Sequence, residues 1–257
     1  LTGKGNFDSR QLNGGQVEEL APEHWRLSVP AGGREYRLAQ LDDYMHLPRS
    51  RFRWKRPISL SIRARVSRND IPGTWGFGFW NDPFSMSFGT RGAAFRLPAL
   101  PNAAWYFYAS PPNHLALRDH AAQGLLAASF AAPLIPPALL VPGALALPLL
   151  LFRPAARLLL RLARLPVKDD AALVEHDSTR WHEYALSVNG NEVTYIVDGK
   201  VMHVSTVTPL GPLGFVLWID NQYAALRPDG RLGYGTLTSS QADWLEVMDV
   251  HMQGDQA

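Results

Sequence analysis

Ile58, Leu60, Ile62, Ala64 and Val66 alternate with Ser59, Ser61, Arg63 and Arg65. A period of two puts the first set on one face of an extended chain and the second on the other, so this segment is a β-strand half in a core and half in water. The same reading covers residues 75–80, 104–109, 181–188, 193–198, 214–220 and 244–250. Asn189-Gly190-Asn191 and Asp198-Gly199 separate such runs with residues that accept positive φ at little cost, and each predicts a hairpin turn. Many strands with tight turns and no alternating helices predict an all-β sandwich or jelly roll. At 257 residues the chain is read as one such domain, 1–257, since large all-β units commonly reach that size.

With no cysteine, a disulfide framework, a thiolate zinc site, an iron–sulfur cluster and a cysteine nucleophile are all excluded. The eight histidines form no His-x-His or His-x-x-x-His pair, and no metal site or cofactor is expected. A structural Ca²⁺ held through the oxygens of Asn81-Asp82 or Asp220-Asn221 is the one exception considered. Gly-x-Ser-x-Gly and phosphate-loop patterns are absent. Net charge is +2, and residues 121–168 hold five basic side chains and no acidic one. The remainder carries 20 basic against 23 acidic residues, which excludes the broad basic face of a nucleic-acid-binding protein.

That basic segment interrupts the strand pattern, and residues 119–170 are read as an insertion. From residue 121 to 152 there are 32 uncharged positions, broken by Pro133, Pro136, Pro137, Pro142 and Pro148. A regular membrane span needs roughly 20 apolar residues in a helix, so the insertion is expected to return to the side it left. Arg153, Arg157, Arg161 and Arg164 then fall within a stripe of roughly 80° on a helical wheel, with Leu158, Leu162 and Leu165 elsewhere on it. This predicts a basic amphipathic helix. Residues 121–165 are expected to hold the protein on an anionic membrane surface as a peripheral or monotopic protein, and to be removable without unfolding the sandwich. The opening residues carry no signal-peptide pattern.

The strand Trp181-His-Glu-Tyr-Ala-Leu-Ser-Val188, followed by Glu192-Val-Thr-Tyr-Ile-Val-Asp-Gly-Lys-Val201, resembles paired strands of the concanavalin A-like lectin and glucanase superfamily. Within it, the laminarinase-like glycoside hydrolases of family sixteen are the nearest resemblance. Ile62-Arg-Ala-Arg-Val66, Gly73-Thr-Trp-Gly-Phe-Gly-Phe-Trp80 and Pro209-Leu-Gly-Pro-Leu-Gly-Phe-Val-Leu-Trp218 look like further strands of that family, in its order. The resemblance implies a jelly roll with a concave ligand face. It also implies a catalytic Glu-x-Asp-x-x-Glu strand, which is absent; the strand expected there reads Ala104-Trp-Tyr-Phe-Tyr-Ala109.

Alternation places Gly76, Gly78 and Trp80 on one face, and Trp218 with Asp220 on another strand's face. The expected ligand surface joins Trp80, Asp82, Tyr106, Tyr108, Trp218 and Asp220, with Arg65, Asn81 and Asn221 binding hydroxyls beside aromatic rings. Asp42, Asp43, Asp82 and Asp220 are the candidate catalytic acids. Three functions fit: recognition of a glycan or lipid-linked sugar at a membrane, an enzyme with an unfamiliar set of aspartates, and an assembly protein docking through its apolar insertion.

Overall fold

The computed structural model describes residues 7–83, 94–115, 123–135, 165–226 and 232–256. Its first sheet, A, joins seven antiparallel strands: β1 (Asp8–Leu12), β4 (Leu38–Asp42), β14 (Gly214–Asp220), β6 (Thr74–Trp80), β7 (Ala103–Ala109), β9 (Gly124–Ala131) and β10 (Lys168–Leu173), in that order. Sheet B orders β13 (Lys200–Ser205), β12 (Val193–Val197), β11 (His182–Val188), β5 (Trp54–Val66), β17 (Asp243–Gln256), β3 (His24–Val29) and β2 (Gln16–Ala21). A small third sheet holds β16 (Leu232–Thr236), β15 (Gln222–Leu226) and β8 (His114–Leu115). The protein is an all-β sandwich of two large antiparallel sheets with jelly-roll character. Among the described residues no helix is long and apolar enough to cross a membrane.

The core lies between the sheets, where Ile58, Leu60, Ile62, Ala64 and Val66 from β5 meet Trp75, Phe77 and Phe79 from β6. The expected turns are present. Asn189 N–H donates to the Glu192 carbonyl at 2.9 Å, and Asp198 and Gly199 both take positive φ, +49° and +76°, as a two-residue hairpin requires.

Tyr106 and Tyr195 cross the core. The Tyr106 hydroxyl lies 3.0 and 2.8 Å from the carbonyls of Ala185 and Ile196 in sheet B, while Tyr195 Oη donates to the Ala128 carbonyl of sheet A at 2.6 Å. A buried phenol needs a partner, and each finds it on the backbone of the opposite sheet.

The insertion is corrected at both ends. Gly124–Ala131 is a strand of sheet A between β7 and β10, with Leu125 and Ala127 in the main core. Being buried on both faces, it shows none of the polar alternation that marks a half-exposed strand. Lys168–Leu173 pairs with it, Lys168 opposite Ala131, so the chain leaves β9 and rejoins β10 at one end of the sheet. Arg153, Arg157, Arg161, Arg164, Leu158 and Leu162, with the predicted helix, lie outside the described residues. Leu165 lies within them and is 75% exposed.

Candidate functional site

The outer face of sheet A, away from sheet B, carries a second apolar cluster. Strand register builds it in rows. One row reads Arg10, Gln40, Trp218, Gly76, Phe107, Leu126 and Leu173 from β1 to β10. The next reads Asp8, Asp42, Val216, Gly78, Trp105, Ala128 and Ala171. A third passes through Gly214, Trp80, Ala103, Phe130 and Asp169.

Glycine at position 76 is required by close approach: a Cβ there would lie 2.4 Å from the Tyr106 carbonyl oxygen and 2.7 Å from the Trp218 ring. The Trp218 indole occupies that space and stacks on Trp80, centroids 6.5 Å apart and planes within 9°. Trp105 sits 5.7 Å from Trp80 and 5.6 Å from Trp218, with Phe107 5.5 Å away. The three indoles are 7–9% exposed. Trp80 Nε1 donates to Tyr44 Oη at 2.6 Å and Trp218 Nε1 to Thr74 Oγ1 at 3.0 Å. Trp105 Nε1 is buried and has no acceptor among the described residues.

Asp220 ends β14, two residues beyond Trp218 on the same face. Its carboxylate accepts from Thr74 Oγ1 at 2.8 Å, from the Thr74 and Gln222 amides at 3.3 and 3.2 Å, and from Tyr36 Oη at 3.3 Å. Burial pushes its pKa up to about 6, against the lowering effect of those hydrogen bonds. Asp42 is also raised by burial, although Gln40 Nε2 donates to it at 2.7 Å and the Tyr44 amide at 3.1 Å.

The expected surface is therefore half assembled. Trp80, Trp218 and Asp220 share it, but Tyr106 and Tyr108 face the core between the sheets. On β7 both faces are aromatic, so alternation could not choose between them; register puts Trp105 opposite Gly78 and Phe107 opposite Gly76. Arg65 is on the outer face of sheet B, bonded to Glu246. Asn81 binds the Leu100 carbonyl and the Asn102 amide, and Asn221 the Arg37 amide and the Glu35 and Leu237 carbonyls; both fasten loops instead of facing the cluster. Asp82 pairs with the Arg96 guanidinium at 2.8 Å, both side chains 1% exposed. Asp43 accepts from Trp54 Nε1 and the Phe215 amide, and burial pushes its pKa up to about 6. The carboxylates of Asp82 and Asp220 are thus engaged by protein donors, which removes the support for Ca²⁺ at those dipeptides.

Register also separates the candidate acids. Asp42 pairs with Val216, four positions from Asp220 on the same strand, a separation of roughly 13 Å at about 3.3 Å per residue. Asp82 lies beyond Trp80, while Asp220 pairs with Thr74 at the opposite end of β6, more than about 20 Å away. Paired glycosidase carboxylates stand about 5–5.5 Å apart in retaining enzymes and about 6.5–9.5 Å in inverting ones. None of these pairs meets either spacing. Sequence reasoning missed Trp105, Phe107, Tyr36 and Thr74; Tyr36 lies in a stretch without pattern, and Thr74 is the first residue of β6, ahead of its aromatic alternation.

No protein-family model matches the chain, and no curated protein matches it. Solved structures similar to it include the laminarinase catalytic domain from Thermotoga maritima MSB8, at 12% identity and TM-score 0.47, covering 96% of this chain and 82% of that one. The Emp47p carbohydrate recognition domain matches at 10% identity and TM-score 0.47, covering 97% and 89%. A sialidase matches at 8% identity and TM-score 0.46; 97% of this chain is covered, but it spans only 17% of the sialidase. Both a laminarinase domain and a carbohydrate recognition domain, the two kinds of protein implied by the sequence resemblance, are thus among them. Similarity at this level assigns neither activity nor ligand.

Proposed function

We propose that this protein recognises carbohydrate on the outer face of sheet A and does not hydrolyse it by the two-carboxylate route. The observation that carries this reading is the Trp105 indole: a buried N–H without an acceptor among the described residues, ringed by Trp80, Trp218 and Phe107. An unsatisfied buried donor costs about 1–3 kcal/mol, and because this N–H is closed to solvent, a ligand oxygen removes that cost only as the rings around it part. Trp75 Nε1 is also unpartnered, but it lies in the core between the sheets. A pyranose supplies both needs of the outer face, an apolar C–H surface for aromatic rings and oxygens for Trp105, Tyr36 and Asp220. The test is a glycan array followed by tryptophan fluorescence titration and a reducing-end assay. Binding without release of reducing ends is expected; turnover abolished by Asp220→Asn would establish the enzymatic reading in its place.

A membrane-surface role has its own support. Ala131 and Lys168 are paired neighbours, about 5 Å apart, so whatever lies between them departs and returns at one point. Leu134 and Leu165 near those ends are 62% and 75% exposed. We propose that the apolar run and the stripe of Arg153, Arg157, Arg161 and Arg164 hold the protein at an anionic surface. Co-sedimentation with anionic liposomes, weakened by salt and by Gln at the four arginines, is expected. Protein that stays in the supernatant at low salt would refute it, and recovery with a protein complex instead of lipid would favour the assembly reading.

A further inference from the structure

The chain passes from sheet A to sheet B through residues 174–181, and this crossover is fastened on two sides. On one side Asn69 Nδ2 donates to Asp177 Oδ1 at 2.9 Å, the Ser178 amide to Asn69 Oδ1 at 2.8 Å and the Val66 amide to the Ser178 carbonyl at 2.9 Å. On the other side the fastening is an imidazole. His182 Nδ1 lies 2.6 Å from Asp198 Oδ2, on the turn between β12 and β13, and His182 Nε2 lies 3.0 Å from the Asp177 carbonyl. A carboxylate and a carbonyl only accept, whereas a neutral imidazole has one N–H and one lone pair. Only the doubly protonated ring makes both bonds.

The groups around His182 favour that charge on it. Burial opposes ionisation of Asp198, but the hydrogen bonds from His182 and from the Glu183 amide, at 2.9 Å, outweigh it and hold the carboxyl below its usual range. Hydrogen bonds from Thr179 and Asn69 hold Asp177 down to about 2, with Arg180 3.4 Å away. His176 competes for the proton, its ring centroid 4.3 Å from that of His182. Its Nε2 is engaged by Tyr184 Oη at 2.6 Å, and its Nδ1 is buried with no partner among the described residues. Burial, and then the charge on His182, push the His176 pKa down to about 4. On β5 the residue opposite His182 is Ala64, and the flanking Arg63 and Arg65 turn to the outer face beside Trp181. Glu175, Glu183 and Lys200 are exposed.

We propose that His182 is a proton latch: protonated, it holds the crossover against the β12–β13 turn, and loss of one proton releases the Asp177 carbonyl while the Asp198 carboxylate keeps the remaining N–H. The latch is closed on the acid side of the His182 titration and opens as pH rises through it. Asn69 and Val66 still hold the crossover, so the gap that opens is local and the domain stays folded. No residue of the outer face of sheet A takes part, and failure of the latch would leave the carbohydrate reading untouched.

Long-range proton–nitrogen NMR of the intact protein, from about pH 5 to about pH 9, reads the ring nitrogens of each histidine. Amide shifts of residues 175–180 and 198–200 read the gap in the same sample. His182 is expected to carry both ring protons at the acid end and to lose one within the range, His176 to stay neutral, and both sets of amides to move with the His182 midpoint. Asp198→Asn replaces the acceptor at Nδ1 by an amide that can donate to it, so a neutral His182 can then make both bonds. This variant is expected to abolish the pH-dependent movement and keep the gap closed at the alkaline end. A singly protonated His182 at the acid end, amides that stay fixed in the parent or move at another midpoint, or an unchanged pH dependence in Asp198→Asn would each overturn the latch.

Discussion

The outer faces of the two sheets solve the same problem in opposite ways. On sheet B, Glu246 accepts from Arg65 at 2.8 and 3.0 Å and from His24 at 2.8 Å, with Arg26 3.6 Å away. Guanidinium groups alternate with indoles along that face: Arg26 lies 5.2 Å from the Trp244 ring, Arg65 5.5 Å from Trp244 and 4.7 Å from Trp181, and Arg63 5.7 Å from Trp181. Burial opposes ionisation of Glu246, but the hydrogen bonds from Arg65 and His24 outweigh it and hold the carboxyl below its usual range. One nitrogen, Arg26 Nε, lacks an acceptor, and its guanidinium rests over an aromatic face. On sheet A, indoles gather without cations among them and a central N–H is left unmatched, among the described residues. Aromatic residues alone do not mark a site; what marks it is what the protein leaves unsatisfied around them.

The harshest test of this contrast removes part of sheet A. Deleting residues 121–165 takes out β9, which packs Leu125 and Ala127 into the core and Leu126 and Ala128 into the outer cluster. Against the expectation that the segment is dispensable, this deletion should abolish cooperative unfolding in urea, because a folded domain holds only about 5–15 kcal/mol in reserve. Deleting 136–164 alone leaves β9 and β10 intact and should preserve the transition.

On the other face, Glu246→Ala should cost about 2–3 kcal/mol in urea denaturation. Breaking a buried pair costs about 3–5 kcal/mol, and the figure is lowered because Arg65 and Arg26 are 34% and 37% exposed and screened by water. Sugar binding should be unchanged; if it fell with stability, the two faces would not be independent.

Asp220→Asn should reveal a pH dependence. The folded-state pKa of Asp220 is raised to about 6 from an ordinary 3.8. Its contribution is therefore fully present below about pH 4 and lost as pH rises through 6. The difference in unfolding free energy, variant minus parent, followed through the melting temperature, should rise between pH 4 and 6.5 and then level off, to a limit of about 2–3 kcal/mol. A flat difference would mean that the carboxylate is not held out of water.

The smallest effect is the most informative. Trp105→Phe keeps a ring and removes the unmatched donor, so stability should stay level or rise by up to about 1 kcal/mol, while affinity for the sugar falls about tenfold. A loss of stability above that amount would mean that the N–H already has a partner, and the contrast between the faces would lapse.

Legibility in the sequence followed exposure. Strands β5, β11 and β12 have one wet face and were read from alternation. β9 is apolar on both faces and reads as part of an insertion, and β7 is aromatic on both, so alternation alone points its cleft side to the wrong parity. The polar candidates misled for a related reason: Asp43, Asp82 and Asn221 sit where strands end and backbone groups need partners, and there they serve the fold.

What the sequence by itself determined is the set of half-exposed strands, their hairpins, the sandwich they build, and the absence of the paired-carboxylate motif. Only the tertiary structure decided that Trp105 and Phe107, not Tyr106 and Tyr108, join Trp80 and Trp218, that Arg65 lies on the other sheet, and that Asp220 stands apart from Asp42 and Asp82. The reason is geometric. A period of two says which residues share a face of one strand, but which face meets the other sheet depends on the neighbours paired to it, and those lie far away in the chain.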